Sequence, residues 1–353
     1  MTDEAVREFA LRCPVPLPPG ERVLLGHGSG GKLSAGLIRE LFVPILGEPT
    51  SELARLGDAA VVQVDGLRLA FSTDSFVVTP KFFPGSNIGE LAVNGTVNDL
   101  AMMGARPLFL SAALIIEEGL EMETLGAVVA SMADAAERAG VTIVTGDTKV
   151  VEKGGADGLF VTTAGIGLVP EGIEVGPERA RAGDRVIVTG PVGSHGIAVM
   201  SRRQEISFGG DLASDSAPLT ELVNAMLSAG DVRCLRDATR GGVASVLNEL
   251  AEASGVAIVA EESAIPVLPP VRAACEMLGL DPLYVANEGV AVAIVAREDV
   301  ERVLAAAHAM DHGTHAAMIG EVEGGPPRVS VRTGLGATRP LIMLAGDQLP
   351  RIC

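Results

Sequence analysis

Short runs of apolar and β-branched residues alternate with longer segments of helical periodicity along most of the chain. The segment 59–78 contains two β-rich runs separated by Asp65-Gly66, a pair typical of a two-residue hairpin turn. That turn places Asp58 opposite Thr73. We therefore expect Asp58 and Asp74 to meet at the open end of the hairpin.

The other segments predict strands interleaved with helices, which indicates an α/β or α+β layered fold. Apolar residues recur on one face of 242–254, and glycine or proline follows several of the predicted helices. The predicted helices are 88–103, 121–139, 196 onward, 218–229, 242–254, 269–279 and 298–309, with a further one from the glycine loop to Phe42. The predicted strands are 22–25, 107–116, 141–144, 158–168, 185–189, 256–260, 290–296, 316–322, 328–331 and 341–344.

A chain of 353 residues is too long for a single core and corresponds to about two domains at roughly 150 residues each. The Pro-, Gly- and charge-rich stretch 170–183 is the expected boundary. We predict an N-terminal arm and glycine-rich loop at 1–48, a first domain at 49–170 and a second domain at 183–345. The remaining segment, 346–353, lacks periodicity and contains Pro350, which favours a mobile C-terminal tail.

Composition excludes several classes of protein. Acidic residues number 45 against 27 basic ones, and the net charge of −18 opposes nucleic-acid binding. Four cysteines without a C-x-x-C pair are too sparse for a disulfide framework, so reduced thiols are expected. Neither a membrane span nor a secretory signal is visible, which favours the cytoplasm.

A glycine-rich loop, Gly26 to Lys32, satisfies most of the phosphate-binding Walker A pattern. Leu33 follows the lysine, however, where that pattern requires a Ser or Thr to bind Mg²⁺. We interpret the segment as a flexible loop covering nucleotide phosphates, with a plain linker as the alternative. The candidate ATP-binding residues here are Gly28, Gly30, Gly31 and Lys32.

Four aspartates of the first half, Asp58, Asp74, Asp99 and Asp147, form a candidate Mg²⁺-nucleotide site. Grouped carboxylates repel one another unless a cation joins them. Asp58, Asp74 and Asp147 are the candidate metal ligands. Two further candidate ATP-binding residues lie beside the acids, Asn98 and Thr148. The alternative is that the aspartates serve only turns and helix caps.

Two other segments carry candidate chemistry. Asp237, Thr239 and Arg240 precede the helix predicted at 242–254, where a helix N-terminus attracts anions, and they are secondary phosphate or substrate candidates. Their alternative is an ordinary helix cap. Glu288 follows an apolar stretch, and a poorly solvated glutamate is a useful base, whereas a solvated turn acid is the alternative.

The motif Asp237-Ala-Thr-Arg-Gly-Gly resembles the aminoimidazole ribonucleotide synthetase (PurM-like) superfamily. Within it, several segments are similar to the HypE family of hydrogenase-maturation carbamoyl dehydratases: 72–76, 94–101, 145–149, 281–289 and the terminal Pro350 to Cys353. The resemblance implies two PurM-like domains, the first pairing with its copy in a homodimer. It also implies ATP and Mg²⁺ as cofactors, with HypF and the HypC–HypD complex as partners.

The resemblance further implies that HypF carbamoylates Cys353 and that ATP then drives dehydration of the thiocarboxamide to a thiocyanate, the source of the cyanide ligand of [NiFe] hydrogenases. Lys149 would stabilise the transferred phosphate and Glu288 would remove a proton. Gly57-Asp58-Ala59 departs from the family pattern, in which a second acid is common, so the number of metal carboxylates stays open. Two rivals remain: a thiamine-monophosphate kinase or selenophosphate synthetase, and a non-enzymatic module presenting its C-terminal peptide.

Overall fold

The computed structural model describes residues 22–47, 51–208, 212–346, 348–349 and 351–353. Its main strands form a five-stranded and a seven-stranded sheet within these residues, joined by helices that pack between and around them. The α-helices are Lys32–Leu37, Val43–Leu46, Glu52–Arg55, Ile88–Met102, Met122–Ala139, Ser194–Gln204, Thr220–Ala229, Gly242–Ser254, Pro269–Leu278 and Val300–His308.

The strands are numbered in chain order. They are β1 (Ala60–Val64), β2 (Leu67–Phe76), β3 (Phe82–Phe83), β4 (Ser86–Asn87), β5 (Arg106–Glu117), β6 (Thr142–Val151), β7 (Leu159–Leu168), β8 (Arg185–Val188), β9 (Val232–Asp237), β10 (Ala257–Glu261), β11 (Ala291–Val295), β12 (Ala317–Glu323), β13 (Arg328–Arg332) and β14 (Thr338–Pro340). All strands of the five-stranded sheet lie within 49–170, and all strands of the seven-stranded sheet lie within 183–345.

The first sheet has the order β1-β2-β7-β5-β6. Val64 pairs with Leu67 across the Asp65-Gly66 turn, which confirms the predicted hairpin and its register. Both turn residues have positive φ, as a type I′ turn requires. β5 and β6 run parallel because the helix Met122–Ala139 connects them, and the other pairs are antiparallel.

The two faces of this sheet differ in what covers them. Alternate residues such as Ala70, Phe76 and Val161 are buried in the core on the side where the helix Ile88–Met102 packs. The other side, which we call the open face, exposes large apolar side chains. Its exposed apolar residues include Val62, Phe71, Phe109, Ile115 and Ile166. Such an apolar face is unusual for a surface that stays in water.

The second sheet has the order β14-β13-β10-β12-β8-β11-β9. Its central strands are rich in Val, Ile and Ala and are covered on both sides, so β11 is buried along its full length. The helix Ile88–Met102 joins the two domains, since Ala101 and Met102 belong to a core that includes Ile187 and Leu222. The domains therefore share packed apolar contacts.

Several predicted elements differ from those observed. Residues 22–25 form no strand; a 3₁₀ helix occupies Leu25–Gly28 instead. β6 continues through residues 145–149, which were expected to leave the strand, because they pair with β5. The predicted strand 341–344 is absent, and β14 precedes it. β9 was not predicted. Residues 1–21 of the predicted N-terminal arm lie outside the described residues.

The described residues of the C-terminal tail are packed in this structure, although a mobile arm was expected. Leu349 and Ile352 are buried in the same core as Phe76 and Leu91. The backbone N–H of Val77, which follows β2, donates to the carbonyl oxygen of Cys353 at 3.1 Å. Apolar burial and backbone pairing together compensate the entropy lost by ordering these residues.

Candidate functional site

A cavity of about 1270 Å³ opens where the glycine loop, the start of the β1–β2 hairpin, the end of β9 and the C-terminal tail meet. Most of the predicted site residues line it, although they come from distant parts of the sequence. The predicted site residues in its wall are Gly28, Gly30, Lys32, Asp58, Asp74, Asp99, Asp237, Thr239, Arg240, Glu288 and Cys353.

Three carboxylates form a cluster in this cavity. Asp58 precedes β1, Asp99 lies on the helix Ile88–Met102, and Asp237 ends β9; their oxygen atoms lie within 4.8 Å of one another. Burial raises the pKa of Asp58 to about 6, although the charge of Arg236 opposes this shift. Burial also raises the pKa of Asp99 and Asp237 well above the usual range, with further increases from the charges of neighbouring aspartates. Three oxygen donors with unfavourable charge fit a hard divalent cation.

The cluster differs from the predicted set of metal ligands. Asp58 belongs to it as expected, but Asp237 was expected to bind an anion and Asp99 only the nucleotide. Asp74 lines the same cavity, and burial raises the pKa of its carboxyl while its Oδ1 accepts the Ser75 N–H at 2.9 Å. Asp74 is thus a neighbour of the three-acid group.

One cation is already placed beside the acids. The Nε of Arg236 lies 3.1 Å from a carboxylate oxygen of Asp58 and 3.1 Å from one of Glu249, and its Nη1 donates to the carbonyl oxygen of Leu56. Although burial opposes its charge, the surrounding carboxylates raise the pKa of Arg236. Arg236 therefore stays charged and fixes Asp58.

The glycine loop lies directly on the turn that carries Arg240. A Cβ on Gly30 would stand 2.6 Å from the Cβ of Arg240, and Arg240 Nη1 donates to the carbonyl oxygen of Gly28 at 3.1 Å. Gly31 is equally confined, because a Cβ there would lie 2.5 Å from the carbonyl oxygen of Leu344. Glycine is thus required for close approach at both positions, and the loop forms one wall of the cavity.

Glu288 is buried beside this wall. Its Oε1 has no hydrogen-bond partner, and its backbone N–H donates to Asp215 Oδ1 at 2.9 Å. Burial, followed by the charges of Asp237 and Asp74, raises the pKa of Glu288 well above its usual range. A carboxyl group with a raised pKa is a stronger base than a solvated glutamate.

Arg240 connects the acidic groups with the end of the chain. The charges at Cys353, Asp74 and Glu288 raise its pKa, the charge at Cys353 most of all. Cys353 is partly buried and lines the cavity together with Glu288. Cys353, the buried carboxyl of Glu288 and the guanidinium of Arg240 therefore line the same cavity.

Asp147, Thr148 and Lys149 lie elsewhere in the single chain. Lys149 Nζ binds both carboxylate oxygens of Asp147, at 2.7 and 2.6 Å, and the backbone N–H of Thr148 donates to Asp147 Oδ1. Asp147 and Lys149 pair in register with Ala113 and Ile115 on β5, which places them on the open face. Within one chain, the expected contributions of Asp147 to the acid cluster and of Lys149 to the site of Cys353 are therefore not observed.

Asn98 has a different role from the expected one. Its Nδ2 donates to the carbonyl oxygens of Ala217 and Glu288, and its Oδ1 accepts the N–H of Leu219. The side chain is fully buried between the domains. These bonds occupy its amide group, so Asn98 supports Glu288 rather than contacting a nucleotide.

Sequence reasoning missed Arg236, Glu249, Asp215 and His195. Arg236 directly precedes the recognised Asp237 motif, and its place beside that acid was the available signal. The others become visible only from the fold, because their partners are distant in sequence. No helix in the part of the chain that the structure describes is long and apolar enough to cross a membrane.

Family models match both domains of the chain. Residues 56–169 match the N-terminal domain, and residues 181–332 the C-terminal domain, of AIR synthase related proteins. The chain is 51% identical over 336 residues to carbamoyl dehydratase HypE of Cupriavidus necator, covering 94% of this chain and 95% of the relative.

Two solved structures are similar over most of their length. A crystal structure of a HypE–HypF complex matches with a TM-score of 0.83 at 45% identity, covering 87% of this chain and 99% of that one. A structure of HypE in complex with ATP matches with a TM-score of 0.79 at 47% identity, covering 94% of this chain and 100% of that one.

Proposed function

Because this chain belongs to the HypE family of carbamoyl dehydratases, we propose that it dehydrates a carbamoyl group carried on its own Cys353 to a thiocyanate, with ATP as the phosphoryl donor. The observation that carries the proposal is the position of Cys353, which lines the same cavity as the acid cluster, Arg240 and Glu288. A cysteine at the end of an unrelated tail would not need such surroundings.

The reaction has two steps. The thiocarboxamide oxygen attacks the γ-phosphorus of ATP, the bond to the β-phosphate oxygen breaks, and the nitrogen loses one proton. This gives an S-linked imidate phosphate and ADP. The nitrogen then loses its second proton, the C–O bond breaks, and inorganic phosphate departs. A C≡N group remains on the sulfur. Phosphorylation is needed because the oxygen is otherwise a very poor leaving group.

The residues of the cavity suit these steps. Glu288, poorly solvated and with a free Oε1, is placed to take a nitrogen proton. Arg240 stabilises negative charge that develops on the oxygen and phosphate, and the glycine loop encloses the phosphates. Asp58, Asp99 and Asp237 would hold Mg²⁺, which when bound spreads the negative charge of the nucleotide phosphates. Asp74 is close enough in the cavity wall to support that set.

Lys149 requires a second copy of the chain. The open face is apolar, and Asp147 and Lys149 lie on it. Phe71 and Thr73 belong both to this side of the sheet and to the cavity wall. A homodimer formed through the open face would bury the apolar residues and bring the partner's β6 edge towards the cavity. We infer that Lys149 and Asp147 serve the site of the other copy in this way.

The finer biological role follows from the same proposal. HypF would load the carbamoyl group onto Cys353 in the cytoplasm, and the thiocyanate would pass to a HypC–HypD complex that carries the iron. The acidic surface, with a net charge of −18, accords with protein partners rather than nucleic acid.

Mass spectrometry of the C-terminal peptide tests the function. The chain is incubated with HypF, carbamoyl phosphate and ATP, and Cys353 should first gain a carbamoyl group and then lose the mass of one water. A thiamine-monophosphate kinase or selenophosphate synthetase would leave Cys353 unchanged. A module that only presents its C-terminal peptide would show no ATP turnover.

A further inference from the structure

Hydrogen bonds to the backbone of the C-terminal tail add to the apolar burial of Leu349 and Ile352 in holding the tail inward. Val77 N–H donates to the Cys353 carbonyl oxygen, and Arg203 Nη2 donates to the carbonyl oxygen of Arg351 at 2.6 Å. A third bond joins His195 Nε2 to the carbonyl oxygen of Ile352 at 2.9 Å. Ile352 is the residue next to the reacting Cys353, and the His195 side chain that bonds it is fully buried.

The hydrogen bonds around His195 define which nitrogen carries the proton. Nδ1 lies 2.9 Å from the Ser214 hydroxyl, and that hydroxyl oxygen already accepts the N–H of Ser216 at 3.1 Å. The carbonyl oxygen of Ile352 can only accept, so Nε2 carries the proton and donates it to Ile352. In the neutral ring Nδ1 is then the acceptor, and the Ser214 hydroxyl donates to it. Burial lowers the pKa of His195 to about 4, so the ring is neutral, and Phe83 packs edge-on against it.

The segment that orients His195 also supports Glu288. Ser214 contacts the histidine, the next residue, Asp215, accepts the Glu288 N–H, and the carbonyl oxygen of Ala217 binds Asn98, which also holds the Glu288 carbonyl oxygen. The position of the tail and the position of the proposed base thus depend on one short piece of chain, 214–217.

We propose that His195 is a positioning residue that holds the tail inward, so that Cys353 is aligned with Glu288 for dehydration. The proposal rests on the proposed function and adds a residue that does not line the cavity and acts only through Ile352. Loading of Cys353 by another protein requires the tail to leave the cavity, which breaks this bond. His195 therefore sets the balance between the loading and dehydrating positions of the tail.

Opposite effects on two rates test this role. His195→Leu replaces the hydrogen-bond donor to Ile352 by an apolar side chain. The rate at which iodoacetamide alkylates Cys353, followed in the C-terminal peptide, should rise roughly 5- to 10-fold, the effect of losing one buried hydrogen bond. Dehydration of an already carbamoylated chain, measured in a single turnover, should fall by a similar factor, while ATP affinity is unchanged.

Two variants serve as controls. His195→Gln can still donate to Ile352 and should restore both rates close to those of the unmodified chain. His308 makes the same kind of bond, from its Nε2 to the carbonyl oxygen of Ala316 at 2.8 Å, but on the helix Val300–His308 of the second domain. His308→Leu should leave both rates unchanged.

Unchanged alkylation in His195→Leu, or a parallel loss of alkylation, dehydration and ATP affinity, would overturn the proposal. If circular dichroism shows that His195→Leu does not fold, Ser214→Ala decides. As with His195→Leu, alkylation should rise and dehydration should fall, here by roughly 2- to 3-fold. Ser214→Ala releases the histidine ring, which keeps its bond to Ile352, and also removes the acceptor of the Ser216 N–H. No change there also overturns the proposal. If the unmodified chain forms no thiocyanate, the proposed function fails, whereas the alkylation rates still report on the tail.

Discussion

The guanidinium of Arg236 lies 3.1 Å from the carboxylate of Asp58. One acid of the three-acid cluster is thus paired with a cation of the chain itself, while Asp99 is bound by the Ser72 hydroxyl at 2.6 Å. Loss of either residue would leave the other as an unpaired buried charge, which is strongly destabilising. Arg236 and Asp58 therefore stabilise each other's position. The remaining negative charge of the cluster is available to a divalent cation.

Replacement of an acid of the cluster should weaken Mg²⁺-dependent ATP binding. For Asp99→Asn and Asp237→Asn we expect a loss in affinity of at least about 10-fold, because each removes a charged oxygen ligand. Isothermal calorimetry with and without Mg²⁺ measures it. Asp65→Asn, at the exposed hairpin tip, is the matched control. Unchanged affinity in both cluster variants would contradict a shared metal site.

Metal-free stability should depend on pH through the same acids. Burial raises the pKa of Asp58 to about 6 and of Asp99 and Asp237 further above the unfolded value. A raised pKa means that the stability contributed by these acids is present at low pH and is lost as pH rises through the folded pKa values. We expect Mg²⁺ to raise the melting temperature more at pH 8 than at pH 5. An equal increase at both pH values would exclude this linkage.

Glu288→Gln should separate chemistry from binding. The amide keeps the size of the side chain but cannot take a proton, so dehydration of carbamoylated Cys353 should fall about 100-fold or more. ATP affinity should change by less than about 2-fold, since the role arises only as protons move. Glu262→Gln, on the 3₁₀ turn after β10, is the control. A loss confined to ATP affinity would remove Glu288 as the base.

Mixed dimers should show whether Lys149 acts across the interface. Lys149→Ala and Cys353→Ala chains should each be inactive alone. When they are mixed and allowed to exchange, the Cys353→Ala chain would supply its lysine to the intact cysteine of the other copy, and thiocyanate formation should partly recover. Absence of recovery in dimers confirmed by light scattering would show that Lys149 acts within its own chain or not at all.

The open face can be tested separately. A charged residue at its centre, as in Ile166→Glu, should be buried unpaired in the dimer and should therefore shift the protein to monomer. Light scattering coupled to gel filtration reports the mass. Met277→Glu, at an exposed apolar residue of the second domain, is the control. A dimer that persists in Ile166→Glu would place the interface elsewhere.

The terminal position of Cys353 should be essential. Cys353→Ala removes the sulfur, and a short extension after Cys353 adds bulk where the end of the chain now fills the cavity wall. Both changes should abolish thiocyanate formation while ATP binding persists. Mass spectrometry and calorimetry measure the two properties. Full product formation on the extended chain would show that the terminal position is incidental.

The sequence predicted most of the elements, and it predicted those parts of the site whose partners are set by local geometry. The Asp65-Gly66 turn correctly predicted the hairpin and its register, and both Asp58 and Asp74 line the cavity beside it. Asp147 was misplaced because residues 145–149 were expected to leave the strand, whereas they continue pairing with β5. The sequence of 145–149 does not distinguish the continuation of an edge strand from the loop after a strand, because the partner strand is not known from the sequence.

Contacts between distant segments account for what could not be predicted. Asp237 is adjacent to Asp99 only because the helix Ile88–Met102 packs against β9. The tail was expected to be mobile since it lacks periodicity, but burial of Leu349 and Ile352 depends on a core formed by other parts of the chain. The role proposed for His195 likewise depends on residues 19 and 157 positions away.

Attachment of the reacting sulfur to the chain changes how this enzyme must be described. On the proposed function, the substrate does not arrive by diffusion; its effective concentration at the site is set by the tether and does not depend on the concentration of the protein. Dilution would leave the rate constant of dehydration unchanged, and small thiols would not compete with Cys353. Turnover then requires a partner to unload each molecule, so the throughput of the system is set by protein encounters.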